Sequence, residues 1–155
     1  MKRISILLFS LIIVYYGCSG AKSTTDTLKI EVMTQQSNSW VNLMPGSKPS
    51  FFISGSIKIK NDENIALDSI QLLKCNILQE GKTIYNLIPG FRSVDDIKAP
   101  INSGTDRIFT FYLSPGTPIN KELDMDKLIS IELYLSALNK VKLHIIDNIN
   151  VIKTY

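Results

Sequence analysis

The stretch Phe51–Lys60 (FFISGSIKIK) limits the possible folds more than any other part of this chain. Phe51, Ile53, Ile57 and Ile59 fall on one side of a two-residue repeat, and Ser54, Ser56, Lys58 and Lys60 on the other. A helix would scatter these side chains around its axis. A strand places the apolar set on one face and the polar set on the other, as in a half-buried sheet. Gly55 interrupts the apolar face, which predicts a bulge or a close backbone approach at that point.

The same period recurs along the chain. Leu28–Met33 alternates, and Ile65 to Leu73 and Asn76 to Gln79 continue the apolar pattern after the polar turn Asn61–Asn64. Glu80-Gly81-Lys82 is a compact turn, Thr83 to Ile88 returns as a strand, and Pro89-Gly90 ends it. Arg92 to Thr105 is the longest polar connection. Arg107–Leu113 (RIFTFYL) carries the aromatic and β-branched content of a strand. Pro115, Gly116 and Pro118 stiffen the loop that follows.

Residues 119–139 fit two periods. Leu128, Ile131, Leu135 and Leu138 recur at helical spacing, while Ile129, Ile131, Leu133 and Leu135 recur at strand spacing. The β-rich context favours a helical turn near Asp124–Lys127 and a strand from Leu128 to Leu135, with one helix across the stretch as the alternative. In the next segment Val141, Leu143 and Ile145 share one face, Lys142 and His144 the other. Asp147-Asn148 predicts a turn before a last strand at Ile149–Lys153. About seven to nine short strands with frequent turns predict an all-β chain, a single immunoglobulin-like antiparallel β-sandwich over residues 28–155. A small β-barrel with one short helix is the alternative.

The N-terminal segment is of another kind. Lys2 and Arg3 precede an apolar run from Ile4 to Tyr15, broken only by Ser5 and Ser10, and Gly17 stands directly before Cys18. The run is shorter than the roughly 20 residues of a spanning helix. Its order of basic, apolar and small residues is that of an export signal. The Gly17-Cys18 junction resembles the lipobox of bacterial lipoproteins, with Tyr15 and Tyr16 where that family usually has leucine and a small residue. The resemblance implies a signal peptide over residues 1–17, acyl chains on Cys18, and a polar tether over residues 18–27. It implies a place in the bacterial cell envelope, lipid-anchored at the outer membrane; a secreted or periplasmic soluble domain is the alternative. Its implied partners are the membrane, through the acyl chains, and another envelope protein. Two or three acyl chains suffice to hold a small domain firmly. The remainder has the general look of small immunoglobulin-like envelope lipoproteins.

Cleavage before Cys18 would leave 138 residues, enough for one domain. Fifteen basic residues would then face fourteen acidic ones, a net charge of +1 in place of +3. No basic patch of the nucleic-acid-binding kind is visible, so no nucleic-acid partner is expected. Cys75, in LLKCNIL, reads as a buried small hydrophobe; a disulfide to Cys18 would require an unlipidated chain. His144 is the sole histidine and lacks the partners of a zinc site or a catalytic triad. Asp62/Glu63, Asp95/Asp96 and Asp124/Asp126 are neighbours in turns, not carboxylates facing across a cleft. Calcium would draw on Asp124 and Asp126 or on Asp147, Asn148 and Asn150, yet no spacing here matches an EF-hand loop and these residues read as turn formers. The sequence has no nucleophile elbow and no phosphate loop. No catalytic residue, metal or cofactor is assigned, and no enzymatic activity is expected.

Aromatic residues carry the one recognition signal. Trp40, Phe91 and Arg92 are candidate contacts for a protein partner. Trp40 or Tyr85 with Asn42 or Asn86 are candidate contacts for a carbohydrate or small ligand. Against this, Trp40 is expected to plug the core between the sheets, and Phe51 to pack inward. The expected function is that of a non-enzymatic envelope lipoprotein acting as a protein-interaction or accessory domain; the alternative is a carbohydrate- or small-ligand-binding module.

Overall fold

A computed structural model describes residues 27–95 and 99–155. The signal segment, Cys18, the tether up to residue 26, and Asp96 lie outside the described residues. Ten strands follow: β1 (Ile30–Asn42), β2 (Ser50–Asn61), β3 (Gln71–Gln79), β4 (Lys82–Leu87), β5 (Gly90–Ser93), β6 (Asp106–Tyr112), β7 (Thr117–Pro118), β8 (Ile129–Ala137), β9 (Lys140–Ile149) and β10 (Val151–Thr154). They form two sheets. The larger runs β10-β1-β2-β6-β5, with the short β7 also paired to β2, and the smaller runs β4-β3-β8-β9. The domain is all-β, with the two sheets packed on one another.

The alternation in β2 sets the core. Phe51, Ile53, Ile57 and Ile59 are fully buried, in one cluster with Cys75 and Ile77 of β3 and Ile129, Ile131, Leu133 and Leu135 of β8. Gly55 lies opposite Phe111 of β6. A Cβ there would run into the Phe111 ring and come within 2.6 Å of the Gln36 carbonyl oxygen. On its other side β1 shifts register between Thr34 and Gln36. The expected close approach and a bulge therefore occur together, the bulge on the neighbouring strand.

Residues 119–139 resolve as a turn and a strand. The Lys127 amide donates to the Asp124 carbonyl at 3.3 Å, and the Asp126 amide to Asp124 Oδ1 at 3.0 Å. β8 then buries every second residue. Leu128 and Leu138, which a helix would have used in its apolar stripe, are 47% and 40% exposed. Leu138 and Asn139 instead form the two-residue turn into β9, with φ of 51° and 58°, the geometry of a type I′ hairpin.

Three expectations are corrected. The larger sheet is mixed, because β10 pairs in parallel with Ser39–Asn42 of β1. Asp147-Asn148 is not a turn between strands: β9 runs on to Ile149, with Asn148 at φ 60° and a register shift against β8. Trp40 does not plug the core. Its neighbours Ser39 and Val41 take the inward positions, both with 0% exposure, and the Ser39 hydroxyl donates to the Asn150 carbonyl at 2.8 Å. Parity along the strand then sends Trp40 outward.

One end of the domain is closed by polar contacts. The fully buried Asn61 donates to the carbonyls of Ile65 and Ile101, both at 2.8 Å, and accepts the Glu63 amide at 2.9 Å. Glu63 is itself buried and accepts the Lys29 amide at 2.9 Å and the Lys140 ammonium at 3.3 Å. These bonds tie the start of β1 to the β2–β3 connection and to the β8–β9 hairpin. The Lys29 amide, then Lys140, hold the Glu63 carboxyl below its ordinary 4.5 against the opposing effect of burial. A carboxyl depressed in the folded state contributes stability that is complete above its unfolded value and is lost as pH falls through its folded value.

Two outcomes follow from this packing. Gly55→Ala should lower stability by about 1–3 kcal/mol, as overpacking does, read as an earlier midpoint in urea. Glu63→Gln should lower the melting temperature at pH 7, and its deficit relative to the unmodified protein should shrink as pH drops below 4.5. A deficit independent of pH would contradict the assigned role of the charge.

Candidate functional site

The residues singled out in the sequence separate in space. Trp40 and Asn42 stand on the outer face of the larger sheet. The Trp40 ring stacks on Phe52, its cross-strand partner, at 5.2 Å and 3°. Asn42 Oδ1 accepts the Met44 amide at 3.0 Å. Arg92 is exposed on the same face, its guanidinium 5.6 Å over the Tyr112 ring. Phe91 points the opposite way and stacks on Phe109 at 4.9 Å at the margin of the core. Tyr85 is inside, 9% exposed and stacked on Phe51 at 4.9 Å. Its hydroxyl accepts the Asn120 amide at 2.6 Å and donates to the Pro118 carbonyl at 3.3 Å. Burial pushes that phenol above its ordinary range. Asn86 is exposed on the outer face of the smaller sheet, opposite Asn76. The fold thus brings Trp40, Asn42 and Arg92 to one face and distributes the others.

Strand β9 presents a feature whose residues were visible in the sequence but whose direction was not. Its apolar set faces solvent: Val141, Leu143 and Ile145 are 44%, 40% and 48% exposed. Its polar set, Lys142 and His144, is half-buried. His144 Nε2 shares a 2.8 Å hydrogen bond with Thr34 Oγ1 of β1, and burial followed by the charge of Lys142 holds its imidazole below the ordinary range. The direction is decided by Ile146 and Ile149, which are buried at 7% and 6% and lock the register of β9 to the core. The adjacent Ile145-Ile146 pair was the available signal, since two consecutive apolar residues in a strand must face opposite sides.

On β8, Tyr134 lies beside Leu143 and Glu132 beside Ile145. Tyr134 donates its hydroxyl to Glu132 at 3.0 Å, Asn76 donates to the same carboxylate oxygen at 2.9 Å, and the Lys74 ammonium sits 4.2 Å over the Tyr134 ring. The stripe is therefore bordered by a polar network held in place by its own contacts. β9 is also the last strand of its sheet, so its far edge has backbone groups that the sheet does not pair.

A second feature lies on the outer face of the larger sheet. Ser54, Ser56 and Thr110 form the floor of a trough of about 370 Å³, with Gln36 and Asn38 along one side and Tyr112 and Arg92 along the other. Phe52 and Trp40 stand one row further along the same face.

Neither feature resembles a reaction centre. Among the described residues no group of three His, Cys, Asp or Glu is placed to hold a metal ion. Cys75 is fully buried, and burial, with a smaller contribution from Glu132, pushes its thiol up to about 12, so it is not a nucleophile at neutral pH. The Asp124–Asp126 turn is committed to its own backbone and to Lys153, 2.7 Å from Asp126. No protein-family model, curated protein or solved structure matches the chain.

Proposed function

We propose that this chain is a lipid-anchored, non-enzymatic interaction domain of a bacterial cell envelope, held at the outer membrane by acyl chains on Cys18 and docking an envelope protein on β9. The observation that carries the docking is the outward apolar stripe Val141–Leu143–Ile145 on a strand at the end of its sheet. An exposed edge strand with an apolar face is a template for another strand, and monomeric proteins normally blunt it with charge or cover it. Here the basic residues of β9 turn inward instead. The occupant is an extended segment of the partner, adding to the smaller sheet through backbone hydrogen bonds and placing alternate apolar side chains over the stripe.

An immunoglobulin-like sandwich is the finer reading of the fold. It is supported by the order β1-β2-β6-β5 in one sheet and β4-β3-β8-β9 in the other, and by a chain that crosses from the smaller sheet to the larger between β9 and β10. The anchor is supported by the signal-like residues 1–17 and the Gly17-Cys18 junction.

The test is site-specific photo-crosslinking from position 143 of the full chain in its native membrane. A discrete adduct with one envelope protein should form, its yield reduced about tenfold or more by Ile145→Lys, as for a central contact. It should also be lost in Cys18→Ser, which should release the domain from the membrane. Failure to crosslink, with the protein present and folded, would overturn the docking reading; a membrane-bound Cys18→Ser protein would overturn the anchor.

A further inference from the structure

We infer that the trough on the outer face of the larger sheet is a separate binding site for a carboxylate-bearing oligosaccharide. Small side chains on the central strands make the depression, and longer ones on β1, β5 and β6 make its walls. Gln36 and Asn38 stand on β1, Ser54 and Ser56 on β2, Thr110 and Tyr112 on β6, and Arg92 on β5. β1 and β5 are three strand spacings apart, about 14 Å, which accommodates a single chain of sugar rings lying between the walls.

The chemistry of the lining selects the ligand. Among the described residues, the side chains of Gln36, Asn38, Ser54 and Ser56 make no hydrogen bond within the protein. Amides and hydroxyls both donate and accept, so this row offers an array matched to a polyhydroxylated ligand, whose hydroxyl groups do the same. A peptide strand has no such opportunity here. The backbones of β2 and β6 are paired on both sides along the floor, β2 with β1 and β6, and β6 with β2 and β5. Tyr112, 37% exposed, adds apolar surface at the wall, while Trp40 and Phe52 in the next row stack on one another.

Charge refines the class. Among the described residues the lining contains no Asp or Glu. Lys58, further along β2, is paired with Asp106 at 2.6 Å. Arg92 is exposed, its guanidinium 5.6 Å over the Tyr112 ring, and among the described residues it has no ion pair. Its planar fork is suited to a carboxylate, which it can bind in a bidentate manner where a lysine cannot.

This site is independent of docking on β9, and its experiment separates the two. The full chain in detergent is titrated by calorimetry with tetragalacturonate, a hyaluronan tetrasaccharide, a muramic-acid-containing tetrasaccharide, neutral cellotetraose, and an acidic tetrapeptide. At least one acidic sugar should bind saturably and about tenfold or more tighter than cellotetraose. Arg92→Ala should weaken it about tenfold, Arg92→Lys less, and Gln36→Ala severalfold, as expected for charge-assisted and neutral hydrogen bonds respectively. Leu143→Lys should leave it unchanged. Each variant is first shown to melt as the unmodified protein does. No binding of any of the three acidic sugars, equal binding of the neutral one, binding insensitive to Arg92→Ala, or Arg92-dependent binding of the peptide in place of the sugars would each overturn the inference.

Discussion

The domain depends on the way β2 meets its neighbours. Its inward residues supply the centre of the larger sheet's apolar face, and at the one inward position without a side chain, Gly55, the ring of Phe111 closes the gap. Because β2 is paired on both sides, this packing fixes the register of β1 and β6 as well. The same period that buries Ile53 and Ile57 turns Ser54 and Ser56 outward. The trough and the core are therefore two faces of one strand, and the small residues that form the floor occupy positions where packing exerts no demand.

The two sheets treat their edges differently. At the end where β1 finishes, the chain crosses from β9 to β10 and pairs with β1, so Ser39–Asn42 are covered. Elsewhere β1 also passes close to β9, with Thr34 meeting His144, but among the described residues the two strands are not paired in a sheet. That leaves a strand with a solvent-facing apolar stripe beside a bulged partner. The cost of exposing three aliphatic side chains on one strand is modest for each, about 1 kcal/mol or more if each could be fully buried. Their contiguity on a strand at the sheet edge, not their individual exposure, distinguishes them from the scattered exposed hydrophobics found on any protein surface.

Much of this architecture was legible in the sequence because it rests on period two. The two-layer β class and the strand at Phe51–Lys60 follow from side-chain parity, whereas the turn at Asp124–Lys127 and the strand after it were legible only through the β-rich context, since that stretch fits both periods. What parity cannot supply is direction and pairing. Trp40 sits beside Val41, and either could have faced inward; the neighbouring Ser39, whose hydroxyl caps the Asn150 carbonyl, tips the strand so that Val41 is buried. For β9 the direction depends on Ile146 and Ile149 reaching the core. The parallel β1–β10 pair, and the meeting of Gln36, Asn38, Ser54, Thr110 and Arg92 at one trough, arise from contacts between residues far apart in the chain, which no local pattern encodes.

The central claim is that the outward face and free edge of β9 are covered in the envelope. Amide hydrogen exchange compares this strand directly in two settings: the full chain in its native membrane, and the same chain purified in detergent. If a partner strand adds to the sheet, amides within Lys140–Ile146 exchange more slowly in the membrane than in detergent, while those of β4, at the opposite edge of the same sheet, exchange alike in both. Equal exchange of Lys140–Ile146 in the two settings would contradict the claim.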